Sequence, residues 1–424
     1  MLKINKQKWI PLTILLVFCV GIGSILVNYG EIVFIEIKNR LNNSSQPVGI
    51  ISNLIMMAST GLFFLIILLI LIQERFRQNH PLKINSEKNY TVVGWSLSVF
   101  SIAVLMIATI LIVNPRGMYG TNNFRPRWLL VRPIKVDEYL NLQSTPDVVI
   151  LGSSRTFTLS PTYIQQHFGY TAFNASVEGS RLGELPVFLK FIAAHSINDF
   201  PKVIIIEAPP YLLESLPPER IPSILLPYME LTDQLRWWYV RYDGMFDLDQ
   251  LSESIYSVLR EPKETNDWTF LPDGEGILPT TTTDQVNRAV EQAISNGPPD
   301  CQQPTHRAIV YYHELVSLAN KHKASIIFII TPMHPEYYAA FMAPGSQFYA
   351  CKTQAVQVLE NLAKEYDNIS FLDYSDLARI GGVPTADGYY DSQHMTEYNS
   401  NLLLNTARDT IERAYQLAAQ WRIR

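Results

Sequence analysis

The chain has 424 residues, with 34 Lys and Arg against 39 Asp and Glu and a formal net charge of −5. A charge this close to balance argues against nucleic acid as the main partner. Three cysteines are too few for a disulfide scaffold or a zinc ribbon, and no CxxC, HExxH or Walker-type glycine loop occurs, so no metal or nucleotide cofactor is expected.

The apolar residues are concentrated in three runs before residue 115. They cover about 10–28, 49–72 and 92–114, each near the ~20 residues that a helix needs to cross a bilayer. Residues 1–114 are therefore expected to form a membrane anchor of three transmembrane helices. Basic residues set its orientation. Lys3, Lys6 and Lys8 precede the first run, and Arg75, Arg77, Lys83 and Lys88 separate the second from the third. The intervening loop holds Lys38 and Arg40, offset by Glu31 and Glu36. The positive-inside bias places the N-terminus in the cytoplasm and everything after Asn114 outside the plasma membrane.

Residues 115–146 read as a tether with a short helix near 135–142. Val148–Leu151 is a short apolar strand ending in Gly152-Ser153-Ser154-Arg155. Ser160-Pro161 reads as an N-cap and first helical residue, with the helix running to Phe168. A second strand, 170–174, leads into Asn174-Ala175-Ser176-Val177-Glu178-Gly179. A helix at 182–195 and a third strand at 202–207 follow. Residues 211–304 break the pattern with many prolines and the cluster Arg236-Trp237-Trp238-Tyr239, and they read as an insertion with helices at 247–260 and 284–296. Regular alternation then resumes: helix 305–322, strand 324–330, helix 353–366, strand 369–372, a loop at 381–394 and a last helix at 396–421. Alternating elements imply an α/β fold with a parallel sheet covered by helices on both faces.

Chemistry in such a sheet gathers beyond the carboxyl ends of its strands. Ser153 and Ser154 fall there, and Asp391-Ser392-Gln393-His394 falls just before the last helix. A serine hydroxyl needs an adjacent base, an imidazole can take and return the proton, and a carboxylate three residues away can fix the ring's tautomer. Such a set transfers acyl groups, to water or to another hydroxyl.

Together the Gly-Ser-Ser turn, the Asn174-x-x-x-x-Gly179 turn and Asp391-Ser392-Gln393-His394-Met395-Thr396-x-x-Asn399 resemble the SGNH (GDSL-like) hydrolase superfamily. The last segment is the most specific. The resemblance covers roughly residue 147 to the C-terminus, with the insertion unmatched. It implies a three-layer, flavodoxin-like domain over 147–424, with Ser154 as nucleophile, His394 as base and Asp391 as its orienting partner. It also implies oxyanion or substrate contacts from the Asn174–Gly179 turn. The serine-containing variant of the turn and the membrane anchor are similar to a branch that modifies cell-envelope polymers, which includes alginate O-acetylation proteins and the D-alanyl teichoic-acid transfer protein. Expected partners are then the lipid bilayer, an envelope polysaccharide or related polymer, and a multi-span acyltransferase that delivers the acyl group.

The sequence departs from the superfamily after the third strand. Glu207-Ala208-Pro209-Pro210 stands where Gly-x-Asn-Asp is usual, so one oxyanion donor is absent or replaced, and Arg155 is the candidate substitute. Ser153 in the middle of the turn leaves open which serine attacks. His334, after the fourth strand, reads either as a substrate contact or as part of a capped turn. Trp237, Trp238 and Tyr239 read as a small core, a membrane-facing patch or a sugar-stacking platform. Cys301 and Cys351 are the two cysteines placed outside the cell and are expected to form a disulfide. The function expected is an acyltransferase or esterase, acetyl foremost, and the alternative is a non-catalytic assembly or binding protein of an envelope-polymer system.

Overall fold

A computed structural model describes residues 86–114, 131–208, 221–244, 247–259, 269–297, 306–342 and 345–423. The chain forms two compact units, Met1–Met106 with Val258–Glu261, and Ile107–Ser257 with Pro262–Arg424.

In the first unit the described residues belong chiefly to helix α1 (Ser86–Val113), which continues into the second unit. The expected spans at 10–28 and 49–72 lie outside the described residues. Among those described, no helix is long and apolar enough to cross a membrane. The side chains described in α1 start at Ser98, and residues 98–113 cover roughly 24 Å, short of the ~30 Å hydrocarbon core. The expectation of three transmembrane helices is thus unsupported by the described residues. Val99, Phe100 and Ile102 of α1 are nonetheless exposed.

The second unit is built on a five-stranded parallel sheet. Its strands are β1 (Val148–Leu151), β2 (Ala172–Asn174), β3 (Val203–Glu207), β6 (Ser325–Ile330) and β7 (Ile369–Asp373), in the order β2-β1-β3-β6-β7. Without the intervening hairpin this is the 2-1-3-4-5 order of flavodoxin-like sheets. Every residue of β1, β3 and β6 is buried. Both faces are covered, so these strands are continuous apolar runs rather than alternating ones. The pleat divides them. Val149, Leu151, Ile204, Ile206, Ile326 and Phe328 face a core shared with α2 (Val131–Leu140), α4 (Glu184–His195) and α8 (His306–Lys321). Val148, Ile150, Val203, Ile205, Ile327 and Ile329 face α3 (Pro161–Phe168), α7 (Thr283–Ser295), α9 (Pro335–Phe341) and α11 (Glu397–Ile423).

Helix ends follow local chemistry. Ser160 caps α3 by accepting from Tyr163 N–H, with Pro161 next. Ser346 does the same for Tyr349 and starts α10 (Gln347–Glu365) six residues before the expected 353. Helix α2 is no loose tether. Its Arg132 grips Glu184 of α4 with two bonds of 2.7 and 3.0 Å, both residues buried. Its Lys135 is buried, donates to the Gly274 carbonyl and lies 4.3 Å over the Phe270 ring.

The insertion holds α5 (Leu231–Gly244), α6 (Leu248–Leu259), the hairpin β4 (Thr269–Phe270) and β5 (Gly276–Ile277), and α7. Helices α6 and α7 match the expected pair, whereas α5 and the hairpin were not expected. The hairpin is stapled behind the first loop of the sheet. Gly276 N–H donates to Phe157 O at 2.8 Å, Asn174 N–H donates to Asp273 O at 2.9 Å, and the rings of Phe157 and Phe270 meet edge to face at 5.1 Å.

Candidate active site

The residue after β1 must be glycine. A Cβ on Gly152 would lie 2.5 Å from Thr156 Oγ1 and 2.7 Å from Glu207 Cβ. This close approach folds residues Ser154–Thr156 into a single 3₁₀ turn, with Ser153 as its cap. The two serines then part company. Ser153 is buried, and Glu207 Oε2 accepts from its N–H at 2.6 Å and from its hydroxyl at 2.7 Å. Ser154 is partly exposed, and its Oγ lies 2.8 Å from His394 Nε2.

His394 comes from the loop before α11, and that loop is fastened at several points. Asn399, fully buried at the start of α11, donates to Val383 O and Gly388 O, each at 2.9 Å, and accepts from Val383 N–H at 3.0 Å. A side chain at Gly388 would run into Val383 O and Asn399. Tyr390 N–H donates to His394 O at 2.8 Å, and Thr158 Oγ1 donates to Met395 O at 3.1 Å. Asp391 Oδ2 lies 2.7 Å from His394 Nδ1, while its Oδ1 accepts from the N–H groups of Gln393 (2.8 Å) and His394 (2.9 Å).

Burial alone would raise the Asp391 pKa. The attraction and hydrogen bond of His394, with the two backbone donors, outweigh it and hold the carboxyl below its usual range. An ionised Asp391 can only accept, so His394 Nδ1 carries the proton. The lone pair on Nε2 is left to accept from Ser154 O–H. This is the arrangement a hydroxyl needs to become a nucleophile.

Among the described residues, the backbone N–H groups of Ser154 and Gly179 donate to no acceptor. Gly179 is exposed, with φ at +53°. The other expected site residues are placed elsewhere. Asn174 is fully buried and its amide donates to the carbonyls of Thr156 (2.7 Å), Phe157 (3.1 Å) and Leu159 (3.0 Å). It braces the turn that carries Ser154 from behind, and its amide hydrogens are taken up there. The Arg155 guanidinium is buried too. It donates to Thr331 O at 2.8 Å and Pro332 O at 3.2 Å, and lies 3.7 Å from Glu207 Oε1. The guanidinium is thus tied to the ends of β6 and β3. His334 is buried, its Nε2 donating to Pro384 O at 2.8 Å and its ring edge-on to Tyr389 at 5.4 Å. It occupies the N-cap position of α9 without a side-chain cap bond and props the loop that carries His394.

Sequence reasoning gave Glu207 no role of its own, whereas it anchors Ser153 and faces Arg155. Its position at the carboxyl end of β3, where an asparagine was sought, was the available signal. Cys351 is disulfide-bonded, while Cys301 lies outside the described residues. Among those residues no cluster of His, Cys, Asp and Glu is arranged to hold a metal.

No protein-family model and no curated protein matches the chain. Solved structures similar to it include the following two. One is a Streptococcus pneumonia protein provisionally assigned as a platelet activating factor, with 13% identity and a TM-score of 0.33 over 66% of this chain and 91% of that one. The other is a provisionally assigned acylhydrolase from Bacteroides fragilis NCTC 9343, with 11% identity and a TM-score of 0.34 over 68% of this chain and 99% of that one. Both likenesses are weak, and no role is carried from them to this chain.

Proposed function

We propose that the chain is a membrane-anchored serine acyltransferase or esterase of the SGNH type. It moves an O-linked acyl group, acetyl foremost, on an envelope polysaccharide outside the plasma membrane. The observation that carries this reading is the relay from Asp391 through His394 to Ser154, with contacts of 2.7 and 2.8 Å.

In this reading Ser154 Oγ attacks the acyl carbonyl as His394 Nε2 takes its proton. The N–H groups of Ser154 and Gly179 receive the developing oxyanion. His394 returns the proton to the leaving oxygen, leaving an acyl group on Ser154. A second hydroxyl, of water or of a sugar, gives its proton to His394 and takes the acyl group, and His394 passes that proton to Ser154 Oγ as the acyl–oxygen bond breaks. Asp391 steadies the imidazolium in both halves. The uncharged runs at 10–28 and 49–72 and the bare apolar side chains of α1 support the anchor. A separate multi-span acyltransferase is the proposed source of the acyl group.

The second reading, a non-catalytic assembly protein, is favoured by one observation: Glu207 stands where a third oxyanion donor is usual. One experiment separates them. The full chain is treated with a fluorophosphonate probe and assayed with a chromogenic acetyl ester, with and without a sugar acceptor. Labelling at Ser154 with ester turnover is expected, and an acceptor-dependent rate marks the transferase. Absence of both labelling and turnover in folded protein would establish the non-catalytic reading.

A further inference from the structure

Helix α5 has its polarity reversed. The residues it turns to the fold are Asp233, Trp237, Arg241 and Gly244, which recur at the period of one helix face. Asp233 holds the Arg307 guanidinium at 3.2 Å. Arg241 donates to Ile221 O at 2.7 Å and lies 3.3 Å from the centre of the Trp237 ring, whose Nε1 donates to the same carbonyl at 2.9 Å. On the outside stand Leu231, Leu235, Trp238 and Tyr239, between 59% and 68% exposed. A helix seated on a water-soluble core turns its apolar stripe inward. Here ion pairs and cation–π contact hold the inner face, and the apolar stripe is bare. Helix α6 repeats the pattern, with Leu248 and Ile255, two turns apart, 71% and 48% exposed. Grouped large apolar side chains of this kind mark a contact surface.

We propose that α5 lies in the plane of a lipid bilayer, with Leu231, Leu235, Trp238 and Tyr239 at the boundary of headgroups and acyl chains. The inference rests on the membrane-anchored reading and adds a second contact, made by the insertion in the domain that carries Ser154. Leucine alone would suit any apolar partner, but Trp and Tyr beside it, with one wet and one dry end each, suit the membrane interface. At 14 residues the helix is about 21 Å long, too short to cross but long enough to lie flat. The 85 residues before α1 carry two uncharged runs of bilayer length, which bring a membrane within reach. The exposed charges beside the stripe, Glu230, Arg236 and Asp243, do not add up to a cation. The contact is therefore apolar, and a zwitterionic surface satisfies it without anionic lipid. A domain held flat on the bilayer would stay near an acyl group delivered through it.

The test uses the full chain reconstituted in phosphatidylcholine vesicles, with a benzophenone amino acid replacing Leu235, Tyr239, Ile102 or Asp409 in separate variants. All four positions are exposed, so the replacements leave the core intact. After illumination, phospholipid adducts are counted by mass spectrometry. Adducts at 235 and 239 are expected on the order of tenfold above those at 409, and unchanged by added anionic lipid. Adducts at 102 without excess at 235 and 239 would overturn the proposal and leave the anchor standing. Protein–protein adducts at 235 or 239 would overturn it in favour of a second copy, and adducts to added polysaccharide in favour of a glycan surface. A chain that does not float with the vesicles at all would end both readings.

Discussion

Ser153 and Ser154 are neighbours in opposite environments, and substitution should separate them. Ser154→Ala removes the hydroxyl next to His394 and should lower kcat by about 10⁴-fold or more, with the melting temperature unchanged. Asp391→Asn should be milder by about tenfold or more, since this group orients rather than reacts. Ser153→Ala keeps the nucleophile, so fluorophosphonate labelling at Ser154 should persist. Labelling that survives in Ser154→Ala and vanishes in Ser153→Ala would reverse the assignment. Glu207→Gln leaves Arg155 beside a neutral group in a buried site and should cost roughly 3–5 kcal/mol of stability, read by denaturant unfolding. The Asp-x-x-His spacing was legible because both groups come from one loop. The surroundings of Asn174, Arg155 and His334 were not legible, because their partners include main-chain carbonyls from distant segments. Nothing in the identity of an asparagine, arginine or histidine says that a carbonyl 15 to 177 residues away will occupy it.

The strands and most helices were legible to within a few residues, because two-sided burial leaves uninterrupted apolar runs and serine caps mark helix starts. Helix α5 was not, since its apolar stripe points away from the core and its inner face carries an aspartate and an arginine. The hairpin β4–β5 escaped because two-residue strands leave no period to read. That hairpin has a pH dependence. Glu275 is buried and accepts from Ser160 Oγ at 2.6 Å. Burial, with Asp273 and Glu397 nearby, outweighs the Ser160 hydrogen bond and the Lys135 charge and raises its pKa to about 7. The folded chain then holds a proton there that the unfolded chain gives up near 4.5, so stability from this group is greatest at acid pH. It is lost as pH rises through about 7, by up to roughly 3 kcal/mol. Glu275→Gln should flatten that decline, as measured by unfolding of the full chain between pH 5 and pH 8. Glu138, which burial also raises to about 7 despite Lys135, leaves a residual slope in the same direction. A variant whose pH profile matches the parent's would remove Glu275 as its source.

At the scale of the whole molecule the expected disulfide gains a definite test. Cys351 is bonded and is the one cysteine among the described residues. Mass spectrometry of unreduced, alkylated protein should return a peptide pair joining Cys301 and Cys351. Carbamidomethylation of Cys301 alone would assign the bond to Cys19. Closing a loop of about 50 residues should stabilise the fold by about 4 kcal/mol in the chain-entropy model, lost on reduction. The carboxyl ends of the parallel strands were the predicted place for chemistry, and Ser154, within reach of His394, follows the end of β1. The anchor expected at 10–28 and 49–72 falls on residues outside those described and is tested by the vesicle experiment.

Ser154 and His394 stand 240 residues apart in the chain. A ribosome adding 5–20 residues per second needs roughly 10–50 s to travel that distance. Throughout that interval the serine exists without its base. In the proposed mechanism the base arrives on a loop fastened by α11, made long after the serine, so the hydroxyl should stay inert until that helix has emerged. Synthesis itself thus times the onset of reactivity. A polypeptide cut anywhere before Asp391 should take up no fluorophosphonate, however much of the sheet it retains.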